Sequence, residues 1–324
     1  MVEQNAGHGR AVTEPAPAAP VVPSAGAGGG ARRGRGTGVA AVLLSAALLS
    51  SSYTLTEVAL RDVPPLTIGL LRFTAAAALL AVWVHLVRGH PAPDRADRTR
   101  LALGGLLGIT LYFAVENVGV ELATATDAAL LVGAYPALTA LLELIVHRQR
   151  TSAGGLAGIG LSVAGVCLVV GFTPDGGTER WAGDVLLVLS GVVWAFYNFV
   201  TRDVGSRCPA DQVLYYQART GALAFLPLAL LEWGSWREFA APVTTVASLA
   251  ALTLLCSIAG LGLYAKGLQH LRSSTAVNLL NLVPVFGLII PVVALDEDVT
   301  ALQVLGGLVV IIGVTVTTRG DGRS

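Results

Sequence analysis

Apolar segments long enough to cross a membrane recur ten times between residues 38 and 318. A helix needs about 20 residues to cross roughly 30 Å of hydrocarbon, and only helices and closed barrels satisfy every backbone polar group there. A barrel strand needs only about 9–11 residues, so segments of this length read as helices. The expected fold is an all-α integral membrane protein. Its spans fall near 38–60, 66–87, 101–122, 126–146, 153–172, 183–202, 212–232, 244–265, 275–295 and 301–318. Composition agrees: 54% of residues are hydrophobic and 13% charged, with a mean hydropathy of +0.69, against about 25% charged in soluble domains. Short connections leave no room for a separate soluble catalytic or ligand-binding domain. The function therefore belongs to the helix bundle, in a lipid bilayer. A formal net charge of zero gives no electrostatic footprint for nucleic acid, and no such partner is expected.

Residues 1–37 are rich in Ala, Gly and Pro and hold no apolar block of signal-peptide type, so they read as a disordered cytoplasmic tail. Residues 319–324 form a second cytoplasmic tail. Arg32, Arg33 and Arg35 precede span one, Arg88, Arg95, Arg98 and Arg100 follow span two, and Arg148 and Arg150 follow span four. Arg202 and Arg207 follow span six, Arg272 span eight, and Arg319 and Arg323 span ten; all these positions share one side. The other side holds Arg61, Arg180 and Arg237 with the acidic run Asp296, Glu297 and Asp298. The positive-inside rule places both termini in the cytoplasm of a cell with this protein in its cytoplasmic membrane. Cys167, Cys208 and Cys256 are widely separated, which predicts neither a disulfide nor a metal site, and no cofactor is expected.

Residues near 119–166 match those near 267–314 at a constant offset of 148. Gly119 pairs with Gly267, Ala128 with Ala276, Pro136 with Pro284, Gly158 with Gly306 and Gly165 with Gly313. Arg72 of span two matches Arg219 of span seven at an offset of 147. Two five-helix repeats follow, 38–172 and 183–318. Five is odd, so the second repeat enters the membrane from the opposite side. Inverted repeats of this kind are a mark of secondary transporters.

The polar residues inside spans are the candidate site. Glu116 and Asn117 sit in span three one turn beyond Tyr112, and Arg72 lies at nearly the same depth in span two. A lone charge at a helix centre costs about 2.5–3.5 kcal/mol or more, so Glu116 and Arg72 are expected to pair. The pair reads either as a fixed brace or as a site that opens for substrate or protons. Burial and Arg72 act on Glu116's protonation in opposite senses. In the second repeat the position matching Glu116 is Tyr264, which leaves Arg219 without a carboxylate. Arg219 with Lys266 reads either as an attractor of an anionic substrate or as a pair of snorkelling side chains. Pro136 and Pro284, each about ten residues into its span, each free a carbonyl, those of Val132 and Leu280. They read as helix hinges, with Tyr135, Asn278 and Asn281 as neighbours that line a cavity or simply pack. Trp194, Tyr197 and Asn198 of span six, with Ser51, Ser52 and Tyr53 of span one, offer stacking and hydrogen bonds to an organic ligand, or ordinary packing. Glu57 is expected to be solvated at the outer end of span one. Glu143 is expected to meet His147 at i to i+4.

The segments PLTIGLLRF (65–73), PALTALLELIV (136–146) and PVFGLIIPVVALDEDVTALQVLGGLVVIIGV (284–314) resemble the drug/metabolite transporter superfamily, specifically its EamA-type exporters. The resemblance spans about residues 38–318. It implies a transporter of amino acids, metabolites or toxic compounds with a cavity lined by spans 1, 3, 4, 6, 8 and 9. The family's acid thirteen residues after the repeat proline is matched by Glu297, whereas Gln149 stands there in the first half.

The expected function is export of a small organic molecule by alternating access, with protons as a candidate coupling ion and a homodimer compatible with the sequence. A facilitator or exchanger of anionic metabolites is the alternative. An intramembrane enzyme would need paired carboxylates, a metal set or a Ser with its base at matching depth, and none is visible. A non-transporting scaffold would have little loop surface with which to recognise a partner.

Overall fold

The computed structural model describes residues 28–147, 152–171, 177–201, 204, 207–235, 242–268, 270–271, 279–280 and 282–321. Among these there are helices and no strand. We number the helices α1 (Gly28–Leu60), α2 (Pro65–Arg88), α3 (Arg95–Leu122), α4 (Ala125–Val132), α5 (Tyr135–His147) and α6 (Ala153–Gly171). They continue with α7 (Gly177–Thr201), α8 (Ala210–Leu231), α9 (Val243–Leu268), α10 (Val283–Leu295) and α11 (Ala301–Asp321). Six are long and apolar enough to cross a membrane, or seven if the bent pair α4 and α5 counts as one span. Helix α10 and the apolar stretch Ala301–Thr317 of α11 are shorter. The polar first half of α8, with Asp211, Gln212, Gln217 and Arg219, lowers its hydropathy.

Two expectations are corrected. Helix α1 starts at Gly28, ahead of residue 38, so part of the expected tail is helical; Ala31, Arg32, Arg33 and Arg35 are good helix formers that offset the glycines between them. Pro136 and Pro284 are not mid-helix kinks. Each is the second residue of a helix, α5 or α10, where its missing amide has no intrahelical partner to lose. The chain breaks ahead of Pro136 at Gly133 and Ala134, and α4 and α5 meet at 45°. A Cβ added at Gly133 would stand 2.6 Å from Pro284 Cγ, so the start of α10 is seated directly on this break.

Helix starts carry their own caps. Asp94 accepts from Asp97 N at 2.7 Å, Thr124 from Asp127 N at 3.1 Å, Ser152 from Gly155 N at 3.0 Å and Thr300 from Gln303 N at 3.2 Å, which supplies amides that helix geometry leaves unpaired. The α2 start is capped from outside its own segment: Glu232, just past α8, accepts from Leu66 N (3.0 Å), Thr67 N (2.8 Å) and Thr67 Oγ1 (2.9 Å). Helices α2 and α8 pack around Phe225 and Phe73, whose rings are nearly parallel with centroids 6.2 Å apart.

Glycines set the closest helix pairs. Gly158 and Gly165 of α6 face Gly313 and Gly306 of α11, with carbonyls so near that a Cβ at Gly165 would be 2.8 Å from Gly306 O. Gly119 of α3 faces Gly183 of α7 in the same way, and Gly267 of α9 faces Gly38 of α1. Helices α3 and α9 each contain a widened π-helical stretch, Leu106–Leu111 and Leu252–Gly260. In both, a hydroxyl donates to the carbonyl five residues back: Thr110 to Gly105 at 3.5 Å and Ser257 to Leu252 at 3.1 Å.

Candidate functional site: a buried carboxylate, a guanidinium and a ring cluster

Glu116 follows Tyr112 by one helical turn, so both project from one face of α3. Glu116 is 3% exposed, and its Oε2 has no hydrogen-bond partner. Three tyrosines are electrostatically coupled to its carboxylate: Tyr112 on α3, Tyr53 on α1 and Tyr135 on α5. One carboxylate is thus ringed by three tyrosines from three helices. Tyr53 and Tyr135 are buried with it.

Arg72 of α2 is 4% exposed and electrostatically coupled to Glu116, but the two form no ion pair among the described residues. The expected direct pair is corrected. Arg72 Nε donates instead to Ser257 Oγ of α9 at 2.7 Å, and its guanidinium lies 4.6 Å from the Phe113 ring centroid and 5.2 Å from that of Phe73. The π-helical stretch of α9 presents Ser257 to α2, and two aromatic faces offer a planar cation the contact a carboxylate would have made. Arg72 and Glu116 each therefore keep capacity for a further partner.

The aromatic wall runs along α7. Trp194 lies between Tyr112 (centroids 5.2 Å) and Tyr197 (4.9 Å). Tyr135 shares a 2.6 Å hydrogen bond with Ser190 and donates to Leu187 O at 3.3 Å, while Tyr197 donates to Gln217 Oε1 of α8 at 3.1 Å. Two glycines make room for these rings: a Cβ at Gly191 would stand 2.6 Å from Tyr135 Cδ1, and one at Gly108 would stand 2.6 Å from Tyr197 Cε2.

The remaining predicted residues divide. Asn117 is buried and donates to Pro65 O at 2.9 Å, which pins the start of α2; its Oδ1 has no partner. Asn198 and Tyr264 are half-buried. Arg219 is exposed and stacks on Tyr216 and Tyr215, at 5.2 and 5.9 Å, and Lys266 is exposed. Neither joins Glu116. Asn278 and Asn281 lie outside the described residues, as do the side chains of Glu143 and His147. Pro136 is half-buried and Pro284 buried. Beside Pro65, a cleft of about 430 Å³ opens at the predicted outer end, lined by Arg61, Asp62, Val118, Glu121, Glu232 and their neighbours.

Sequence reasoning missed four polar contacts and one buried acid. Glu57 is half-buried and engaged: it accepts from Ala125 N at 2.8 Å, and Glu297 accepts from Thr126 N at 3.3 Å. Asp127 is fully buried, ion-paired to Arg180 (2.7 Å) and bonded by Gln303 Nε2 at 2.6 Å, and Asp184 is fully buried on α7. The capping signature Thr124-Ala125-Thr126-Asp127 was a legible signal for Asp127. Nothing local marks Asp184.

The EamA-like transporter family matches the chain twice, over residues 36–171 and 181–319. The chain belongs to this family, and so to the drug/metabolite transporter superfamily. It is 29% identical over 281 residues to an uncharacterized transporter of Archaeoglobus fulgidus, covering 85% of this chain and 95% of that one. It is 26% identical over 294 residues to a probable amino-acid metabolite efflux pump of Escherichia coli, covering 86% and 93%. A third relative, a probable terminal-alkyne amino-acid exporter of Streptantibioticus cattleyicolor, is 27% identical over 280 residues, covering 86% and 92%. A crystal structure superposes with a TM-score of 0.60 at 21% identity over 89% of this chain and 98% of that chain, a likeness of fold alone. This EamA-like protein is a multi-pass membrane protein that acts on small molecules.

Proposed function

We propose that this EamA-like transporter is a secondary exporter of amino acids or related small metabolites, working by alternating access. The observation that carries the reading is the unpaired state of Glu116 and Arg72. A buried carboxylate with a free oxygen and a buried guanidinium held on a serine, both beside aromatic rings, suit a zwitterion that brings its own ammonium and carboxylate. Such a ligand would offset charges that are costly to leave alone inside a membrane. The amino-acid exporters among the relatives support the same substrate class.

Ten spans in two inverted halves, 38–172 and 183–318, are part of this proposal, with α4 and α5 forming one broken span. The double family match supports it. So does the pairing of glycines: exchanging residues at the offset of 148 turns the Gly158 and Gly313 contact into that of Gly306 and Gly165. The same exchange carries the π-helical stretch at Leu106–Leu111 into the one at Leu252–Gly260. Two halves of like fold and opposite orientation would give inward- and outward-open states of similar energy. The charge asymmetry of the connections supports cytoplasmic termini and the cytoplasmic membrane. The anion-exchanger alternative is weakened, because Arg219 and Lys266 are exposed and apart from Glu116.

The test is uptake and efflux of amino acids, organic anions and lipophilic cations in proteoliposomes, for wild type, Glu116→Gln and Arg72→Gln. Zwitterions should be moved by wild type and lost in both variants. Movement of anions alone, unchanged by either substitution, would discard the reading.

A further inference from the structure

A second buried polar group lies apart from the ring cluster, where α4, α7 and α11 meet. Asp127 of α4 uses Oδ2 for Arg180 Nε and NH2 (2.9 and 2.7 Å) and Oδ1 for Gln303 Nε2 of α11 (2.6 Å). Its charge is matched by Arg180, which projects from the first turns of α7. Asp184 follows Arg180 by one turn on the same helix. Asp184 is 0% exposed, and neither of its carboxylate oxygens has a hydrogen-bond partner.

The charges facing Asp184 are Asp127 from α4 and Arg180 from its own helix. On the side of α3, Gly119 and Ala123 approach its neighbour Gly183. On the side of α5, Tyr135 is engaged with Ser190 and Leu187. Two buried acids and one base leave one negative charge without a balancing group. A single positive ligand at Asp184 would restore neutrality. A metal ion asks for several oxygen ligands, but the oxygens of Asp127 are already taken, and the described residues hold no group of three or more metal-ligating side chains. A proton needs only the one carboxylate.

We propose that Asp184, poised beside the Asp127–Arg180 pair, is a proton-binding site separate from the substrate cluster around Glu116, and that its proton is the one coupled to transport. Proton binding stands on the local geometry; the coupling rests on the transporter reading above. Arg180 is bonded to Asp127 and reaches Asp184 only through space, which leaves Asp184 as the acid that takes the proton. The site spans α4 and α7, and α4 is the half of the broken span that ends at Gly133.

The protonated-carboxyl C=O band is followed by infrared difference spectroscopy on full-length protein in lipid as pH is changed. Wild type and Glu116→Gln should both show the band of Asp184, and Asp184→Asn should lose it. The band should persist when sodium replaces potassium. A band that is the same in wild type and Asp184→Asn, or one that sodium abolishes, overturns the proposal. If Asp184→Asn does not fold, Arg180→Gln decides: the band should grow as Asp127 loses its counter-charge, and an unchanged band overturns the proposal. Coupling is read with L-phenylalanine as probe. Asp184→Asn should lose accumulation driven by a pH gradient yet keep equilibrium exchange, and gradient-driven accumulation equal to wild type refutes the coupling. If wild type moves no phenylalanine, the substrate reading fails, while the infrared result still judges the proton site.

Discussion

Gly158 and Gly160 stand two residues apart on α6, and alanine at the two positions should change stability in opposite senses. At Gly158 a Cβ would lie 2.5 Å from Thr317 N and 2.6 Å from Gly313 O, backbone atoms of α11 that cannot rotate away. Ordinary contact begins near 3.4 Å, so α6 and α11 must separate. A gap of about 0.5–1 Å forfeits a quarter to a half of each atom pair's attraction of about 0.1–0.2 kcal/mol. Over on the order of 50 pairs that is about 1–5 kcal/mol, centred on ~3, against about 1 kcal/mol gained by alanine's better helix propensity. Gly158→Ala should therefore destabilise by about 1–3 kcal/mol. At Gly160 nothing lies within 4 Å, which leaves only the propensity gain of about 1 kcal/mol. The assay is reversible unfolding in mixed micelles with rising denaturing detergent, followed by far-UV circular dichroism. Gly165→Ala should resemble Gly158→Ala, because its neighbours at 2.7 and 2.8 Å are also backbone. If Gly158→Ala and Gly160→Ala shift the midpoint in the same direction, the close α6–α11 seam is wrong.

The same unfolding assay checks three further expectations. Ser257→Ala removes the acceptor of Arg72 Nε and should cost about 1.5–3 kcal/mol, the range for a hydrogen bond to a charged group; no loss would mean that the ring contacts alone hold Arg72. Glu232→Ala strips three hydrogen bonds from the start of α2 and should cost about 1–2 kcal/mol, with Glu232→Gln intermediate; equal loss in both would show that charge alone matters. Gly69→Ala would place a Cβ 2.5 Å from Phe225 Cε1 in a filled core and should cost about 1–3 kcal/mol, partly recovered by adding Phe225→Leu. Absence of that recovery would point to a cause other than the ring.

The helices were legible because membrane insertion makes length and apolarity sufficient: each expected span from 38–60 to 301–318 overlaps an observed helix. The glycines of the α6–α11 seam stood out in sequence as matched positions, but which of them meet was not legible there. Partners of polar groups were not legible in the same way. Glu116 and Arg72 share a depth, which predicts a pair, but the choice between them depended on Ser257 and Phe113 arriving from α9 and α3. Pro136 and Pro284 looked like interior kinks because apolar residues run unbroken on both sides of each. The backbone break at Gly133 and Ala134 changes nothing in hydropathy. Asp184 falls at the edge of an apolar stretch, where the default expectation is contact with water, and its burial is created entirely by neighbouring helices.

The start of α4 draws these strands together. It is an eight-residue helix, too short to be stable by itself, and its first three amides are taken by three separate sources. Ala125 N donates to Glu57 of α1, Thr126 N to Glu297 of the α10–α11 connection, and Asp127 N to Thr124. Asp127 then ties the same turn to α7 through Arg180 and to α11 through Gln303. One end of α4 is thus clasped by helices from both halves of the sequence, and the other ends in a 45° break against Pro284.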